Sequence, residues 1–314
     1  MAGISPDPNA PLFIILNAKS GHNDTAETKK IILAVLAETD RTHHIVVVEN
    51  PAQLRDTAKR MVAQARACGG AIVVAGGDGA INTVAQAVLP SGCPFGVLPQ
   101  GTFNYFCRAH RIPEDTEQAM RTLLNAQPHP VQAGLVNDRV FLVNASLGLY
   151  PKLLENREAD KQQFGRTRLV AFISAILTLV GRYRVLKIVL EQDGETHVYR
   201  TPSLFIGNNS LQLEQIGVPL TQQLAAGQLV AILPRPVSTL AMLWLLICGV
   251  FGNVGATGNV INFSFSSLTV SRITLYRRRV KVATDGEIVW LKAPLEFRVS
   301  PQPLYLLKPD DSTA

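Results

Sequence analysis

Residues 71–82, AIVVAGGDGAIN, and residues 95–104, FGVLPQGTFN, each run an apolar, strand-like segment directly into glycines. Such a strand delivers its backbone into a sharp turn at the carboxyl edge of a parallel sheet. That edge is where α/β proteins bind their ligands. In the first turn, Gly76, Gly77 and Gly79 lack the Cβ atoms that would hold a phosphate away from backbone N–H groups. A helix expected over 81–88 would turn its positive end toward the same anion. Asp78 is the odd member, because a carboxylate among phosphate-binding amides repels the ligand unless it holds Mg²⁺ or polarises a hydroxyl. A tight strand-to-helix turn capped by Asp78 is the competing structural reading, and the second glycine turn weighs against it.

The chain has 314 residues, 47% of them hydrophobic, enough to bury the cores of two domains. Strand and helix alternate up to residue 126. Strands are expected at 12–16 and 44–48, with helices at 25–39 and 51–67, the latter opened by Pro51. This alternation predicts a parallel sheet, so the turns at Asn17, Gly76 and Gly101 share one rim. From residue 128 the texture becomes short runs of Val, Leu, Ile and Phe cut by Gly, Asn, Asp and Pro, which reads as a β-sandwich. A hairpin turn is expected at Asp138 and Arg139. The fold class is therefore an α/β domain followed by an all-β, sandwich-like domain. The expected boundaries are 1–128 and 129–302, with 303–314 packing back on the first domain.

A formal charge of +6 and a pI near 9.2 suit an anionic partner, whether nucleotide or acidic membrane surface. Nucleic acid is not expected, since aromatics are only 6% and no basic reading helix is evident. Cys68, Cys93, Cys107 and Cys248 have no metal-ligand or disulfide spacing and read as reduced thiols. No secretory leader is expected from MAGISPDPNAP, and a cytoplasmic location follows. The apolar runs 169–180 and 240–251 are 12 residues each, whereas crossing a bilayer takes roughly 20. They read as buried or interfacial helices. The first lies in a helix expected over 164–184, with Arg166, Arg168, Arg182 and Arg184 at its ends, an arrangement compatible with peripheral membrane contact. A strand at 271–285 places Arg272, Arg277, Arg279 and Lys281 largely on alternate positions, with Arg278 opposite, and offers either a solvated face or a contact for anionic headgroups.

GGDGAIN, GTFN, the N-terminal NAKSG and the C-terminal Asp285-Gly286-Glu287, in this order and spacing, resemble the diacylglycerol kinase catalytic-domain family of bacterial lipid kinases. That family includes relatives acting on sphingosine and ceramide. The likeness runs from about residue 13 to 307 and implies that the α/β domain is the nucleotide-binding domain, that the active site lies in the cleft between the two domains, and that ATP and Mg²⁺ are the cofactors and a lipid at the membrane surface the substrate. By this resemblance the nucleotide is met by Asn17, Ser20, Gly76, Gly77, Asp78, Gly79, Ala80, Asn82, Gly101 and Thr102, with Asn104 fixing its loop. The chain departs from the common family pattern at Tyr105, Gln132 and Ala226, where relatives carry acids. The last departure implies that a structural Mg²⁺ site is lost, because a hard cation wants oxygen ligands.

Phosphoryl transfer to an alcohol needs the hydroxyl held in line with the γ-phosphate and its proton accepted as the bond forms. Glu287 is the expected general base, with Asp285 orienting it or sharing Mg²⁺ and Asp78 meeting the nucleotide-bound metal. A second Asp-Gly-Glu, residues 193–195, sits between alternating strands and reads as a plain hairpin. Three alternatives remain open: an NAD kinase-like enzyme, which shares a GGDG turn; a catalytically weakened nucleotide- or lipid-binding protein; and, lowest, an oxidoreductase, disfavoured because no GxGxxG follows the first strand. The lipid acceptor is not written in the sequence, and a homodimer is compatible with it.

Overall fold

A computed structural model describes residues 9–18, 25–149, 151, 185–192, 194–218, 220–238, 259–273 and 279–309. Ser20, Asp193, Arg277, Arg278, the helix expected over 164–184 and the apolar run 240–251 lie outside the described residues, as does the side chain of Arg272. The chain divides into two compact units, Met1–Ala133 with Ser300–Ala314, and Gly134–Val299.

In the first unit β1 (Leu12–Asn17), β2 (His43–Val48), β3 (Ala71–Gly76) and β4 (Phe95–Pro99) are all parallel. The C-terminal strand Leu304–Lys308 joins β4 in parallel, and β5 (Gln127–Val131) closes the sheet antiparallel to it. The sheet order is β2, β1, β3, β4, C-terminal strand, β5. β5 thus belongs to this sheet, which the expected boundary at 128 would have cut. Every residue of β3 and β4 is buried, as continuous apolar runs require when both faces are covered.

The helices bury one stripe each. α1 (Thr25–Leu36) buries Ile32, Val35 and Leu36, and α2 (Leu54–Ala67) buries Leu54, Ala58, Met61, Val62 and Ala65. α1 stops short of the expected residue 39 because the Thr39 hydroxyl donates to the Leu36 carbonyl at 2.9 Å and ends the helix. Pro51 opens a 3₁₀ turn, Pro51–Gln53, in which the Asn50 side chain accepts the Ala52 amide, and the α-helix proper begins after it. α3 (Asp78–Val88) starts three residues earlier than expected, immediately after the extended Gly77. Two further helices, α4 (Tyr105–Ala109) and α5 (Thr116–Asn125), follow β4, and Asp115 caps α5 by accepting from the Gln118 amide at 2.9 Å.

The second unit is built from antiparallel strands: β6 (Gly134–Val136), β7 (Arg139–Phe141), β8 (Asn144–Gly148), β9 (Leu186–Gln192), β10 (Glu195–Thr201), β11 (Ser203–Gly207), β12 (Leu229–Pro234), β13 (Val260–Phe265), β14 (Ser267–Ile273), β15 (Arg279–Thr284), β16 (Glu287–Lys292) and β17 (Leu295–Val299). They form two sheets, ordered β10, β9, β14, β17, β6, β7 and β13, β12, β11, β8, β15, β16. One core is shared by both, with Phe141, Ile188, Leu190, Val270 and Phe297 from the first sheet meeting Leu147, Leu204, Ile206, Ala231 and Val282 from the second. Two short helices, α6 (Ser210–Gln215) and α7 (Thr221–Ala225), cover Val230 and Ile232 on the far side of β12.

Two turns correct or sharpen the sequence reading. The β6–β7 hairpin turns at Asn137 and Asp138, one residue before the expected position, because Asn137 takes the left-handed conformation (φ 52°) that a tight two-residue turn needs. Arg139 is thereby a strand residue. Gln192 pairs with Glu195 in antiparallel register, so β9 and β10 form the hairpin expected around the upstream Asp-Gly-Glu. Among the described residues no helix is long and apolar enough to cross a membrane.

Candidate nucleotide-binding and catalytic residues

β1, β3 and β4 are adjacent and parallel, so Asn17, Gly76 and the turn after Pro99 emerge from the same edge of the sheet. Gly76 closes β3, and its carbonyl accepts from the Gln100 amide at 2.9 Å, tying the two glycine turns at their roots. They then touch. A Cβ on Gly101 would lie 2.9 Å from the Gly77 Cα and 2.7 Å from Asn104 Oδ1, so a side chain at this crossing would force the turns apart.

Gln100, which the sequence reading passed over, anchors the second turn from below. Its buried amide donates to Thr116 Oγ1 at 2.9 Å and accepts from Thr28 Oγ1 at 3.4 Å. Asn104 closes the turn from above. Its Oδ1 accepts the Gly101 amide at 2.9 Å and its Nδ2 donates to the Gly101 carbonyl at 3.0 Å, while its own backbone is left-handed (φ 47°). Thr102 and Phe103 are exposed at the tip.

No side chain caps α3, because its N-cap is Gly77, and its first turn holds Asp78, Gly79 and Ala80. Asn82, one turn in, is fully buried. An uncapped helix start between two bare glycine turns is the arrangement that accepts a phosphate by its N–H groups.

Asp78 does not cap its own helix. Its carboxylate reaches the start of α4 and accepts the backbone N–H groups of Tyr105 at 3.4 Å and Phe106 at 3.3 Å. Burial raises its pKa above the ordinary value, and the amide hydrogen bonds from Phe106, Tyr105 and Asn104 only partly offset that. Cys107, buried beneath it, is pushed far up by burial and by the Asp78 charge, so its thiol stays protonated. The Tyr105 ring stacks on Phe103 with centroids 5.7 Å apart and planes 6° from parallel.

These residues fit nucleotide phosphates through backbone amides. They fit a metal less directly, because both Asp78 oxygens already accept a backbone N–H. Among the described residues no three His, Cys, Asp or Glu side chains gather as a metal-binding group.

In the second unit, Asp285 and Gly286 make a two-residue hairpin between β15 and β16, with φ of 47° and 86° and Thr284 paired to Glu287. The Asp285 carboxylate folds back and accepts three amides, from Leu142 at 2.7 Å and from Val143 and Asn144 at 2.9 Å each. It clasps the β7–β8 connection. The backbone of Asp285 adds a bond to the Asn144 carbonyl at 3.0 Å. Glu287, the first residue of β16, pairs with Arg139 through Nη2 and Oε2 at 2.9 Å. The arginine side chain is 12% exposed and the glutamate 42%, so a buried cation steers a carboxylate that solvent can still reach. Arg139 was read from the sequence as a turn residue only. Its pairing joins positions 148 residues apart, which no local pattern announces.

The family model for the diacylglycerol kinase catalytic domain matches residues 11–136, which include both glycine turns. Among curated proteins, "Probable lipid kinase YegS-like" of Serratia proteamaculans (strain 568) is 32% identical over 177 residues, 55% of this chain and 56% of that protein. "Probable lipid kinase YegS" of Escherichia coli O17:K52:H18 is 33% identical over 154 residues, 48% of this chain and 49% of that protein. The chain thus spans about half the length of the curated relatives it matches. A crystal structure of a diacylglycerol kinase from Bacillus anthracis str. Sterne superimposes with a TM-score of 0.69 over 97% of this chain and 98% of that one, at 15% identity, a likeness of fold. The resemblance read from the sequence is borne out, and residues 11–136 match the catalytic domain of the diacylglycerol kinase family.

Proposed function

We propose that this chain is an ATP-dependent lipid kinase, which moves the γ-phosphate of ATP to a hydroxyl of a membrane lipid of diacylglycerol, ceramide or sphingoid type. The observation that carries the reading is the pair of touching glycine turns at an uncapped helix start, lying within the family match.

On this reading the phosphates lie against the amides of Gly76 to Ala80 and the side-chain-free surface of Gly101, whose own amide is held by Asn104, with the Thr102 hydroxyl at the exposed tip. Asn17 and Ser20 complete the nucleotide's surroundings, Asn82, fully buried one turn into α3, supports the first turn from within, and Asn104 holds the second turn in shape. Asp78 is the residue that would meet a nucleotide-bound Mg²⁺, which would supply neutralisation of the phosphate charge. Glu287 accepts the proton of the acceptor hydroxyl as its oxygen bonds phosphorus and the ADP oxygen departs. Arg139 sets the direction of that carboxylate. Asp285 acts one step back, holding the hairpin on which Glu287 stands. The protein works in the cytoplasm at the membrane face, because its acceptor is a lipid.

The test is transfer of label from [γ-³²P]ATP to a panel of diacylglycerol, ceramide, sphingoid base and phosphatidylglycerol, with NAD as a water-soluble competitor. A labelled lipid product is expected. Label on NAD alone would turn the assignment to an NAD kinase-like enzyme. The engaged Asp78 and the Phe103–Tyr105 stack favour a second reading, a nucleotide-binding protein of weakened turnover. ATP binding with no labelled acceptor would select it.

A further inference from the structure

The β15–β16 hairpin is the outer edge of its sheet, and its two faces differ sharply. Val280, Val282, Val289 and Leu291 point into the shared core. The alternation of a strand then sends Arg279, Lys281 and Ala283 of β15, with Ile288, Trp290 and Lys292 of β16, to the opposite face. Cross-strand register pairs Arg279 with Lys292, Lys281 with Trp290, and Ala283 with Ile288. Trp290 is 55% exposed, and the Lys281 ammonium stands 5.0 Å from its ring centroid. Arg279 and Lys292 are exposed as well.

We infer that this face, centred on Trp290 and flanked by Arg279, Lys281 and Lys292, docks the protein on an anionic lipid surface. Ala283 is buried at the turn end of this face, and none of the six residues is acidic. Two cations directly opposite one another destabilise a strand pair, and an anionic partner removes that repulsion. A half-exposed indole beside lysine and arginine is what the bilayer interface accepts, with the ring at headgroup level and the cations on phosphates. Charge complementarity therefore selects the occupant, and the apolar ring distinguishes a lipid surface from a purely polyanionic one. The inference deepens the lipid-kinase reading by naming the surface that brings the enzyme to its substrate. None of these side chains belongs to the proposed catalytic or nucleotide-binding residues.

The experiment uses the full chain carrying Trp244→Phe, so that Trp290 is the only indole, with phosphatidylcholine vesicles with and without phosphatidylglycerol. Binding and a blue shift of Trp290 emission are expected only with phosphatidylglycerol, both weakening as salt is raised. In the native background, Trp290→Ser and the double variant Arg279→Glu/Lys281→Glu are expected to lower vesicle affinity at least about tenfold, while Trp290→Phe retains most of it. Circular dichroism and melting confirm that the variants remain folded. Unchanged emission, equal binding to neutral vesicles, or variants that bind like the native protein would overturn the inference. So would loss of binding to an RNA oligomer in the same variants with no vesicle binding in the native chain. Transfer to lipid dispersed in detergent is measured alongside. If it is absent while the variants still lose vesicle binding, the kinase reading fails and the docking surface stands.

Discussion

Asp78, Asp285 and Glu287 are three carboxylates in three environments, and each environment makes a separate demand. Burial around Asp78 favours its neutral acid, so the folded protein keeps that proton to a higher pH than the unfolded chain, where the group titrates near 3.8. The folded state then binds more protons, and stability falls as pH rises from 3.8 through the folded value. Asp78→Asn is expected to flatten that part of the profile, read from urea unfolding at stepped acidic pH. An unaltered slope would show that another group carries it. Asp285 has the opposite task, since its charge is held by three amides. In Asp285→Asn the left-handed backbone is tolerated, but one acceptor oxygen becomes an NH₂ facing an amide. The expected loss is about 1–3 kcal/mol of unfolding free energy, checked by denaturant titration. Unchanged stability would mean that the clasp contributes nothing to the fold.

At the scale of elements, the two glycine turns are held by contact with each other as much as by their own strands. Gly101→Ala places a Cβ 2.9 Å from the Gly77 Cα and 2.7 Å from Asn104 Oδ1. Overpacking of that kind costs about 1–3 kcal/mol, seen as a lower melting temperature together with weaker ATP binding by calorimetry. Gly194→Ala, in the upstream hairpin where a Cβ would meet nothing within 4 Å, has only the strain of its φ of 83° to bear and is expected to leave ATP binding unchanged. The turns themselves were legible because an apolar run ending in glycine is a local pattern, as was the hairpin at Asp285 and Gly286. What escaped the sequence was long-range. Gln100 meets Thr28 across 72 residues, Asp285 meets Leu142 across 143, and Arg139 meets Glu287 across 148. A local reading sees each as one polar residue in a turn or strand, so Asp285 looked like a metal or orienting group when its nearest partners are backbone amides. The early start of α3 escaped for a related reason, since Asp78 and Gly79 are poor helix formers that enter the helix once Gly77 has turned the chain.

For the whole molecule, a parallel α/β sheet and an antiparallel two-sheet unit follow directly from the two textures of the chain. They divide the proposed labour, with glycine amides for phosphate on the first and a steered carboxylate on the second. The formal charge of +6 suits both the nucleotide and an anionic lipid surface. The most direct test of the central claim compares native protein with Glu287→Gln for transfer of label from [γ-³²P]ATP to the best lipid acceptor, with ATP affinity measured on the same preparations. The prediction is that the variant binds ATP within about twofold of the native protein and loses at least about a hundredfold in turnover, the scale of general-base catalysis. A Glu287→Gln protein that phosphorylates lipid at the native rate would contradict it.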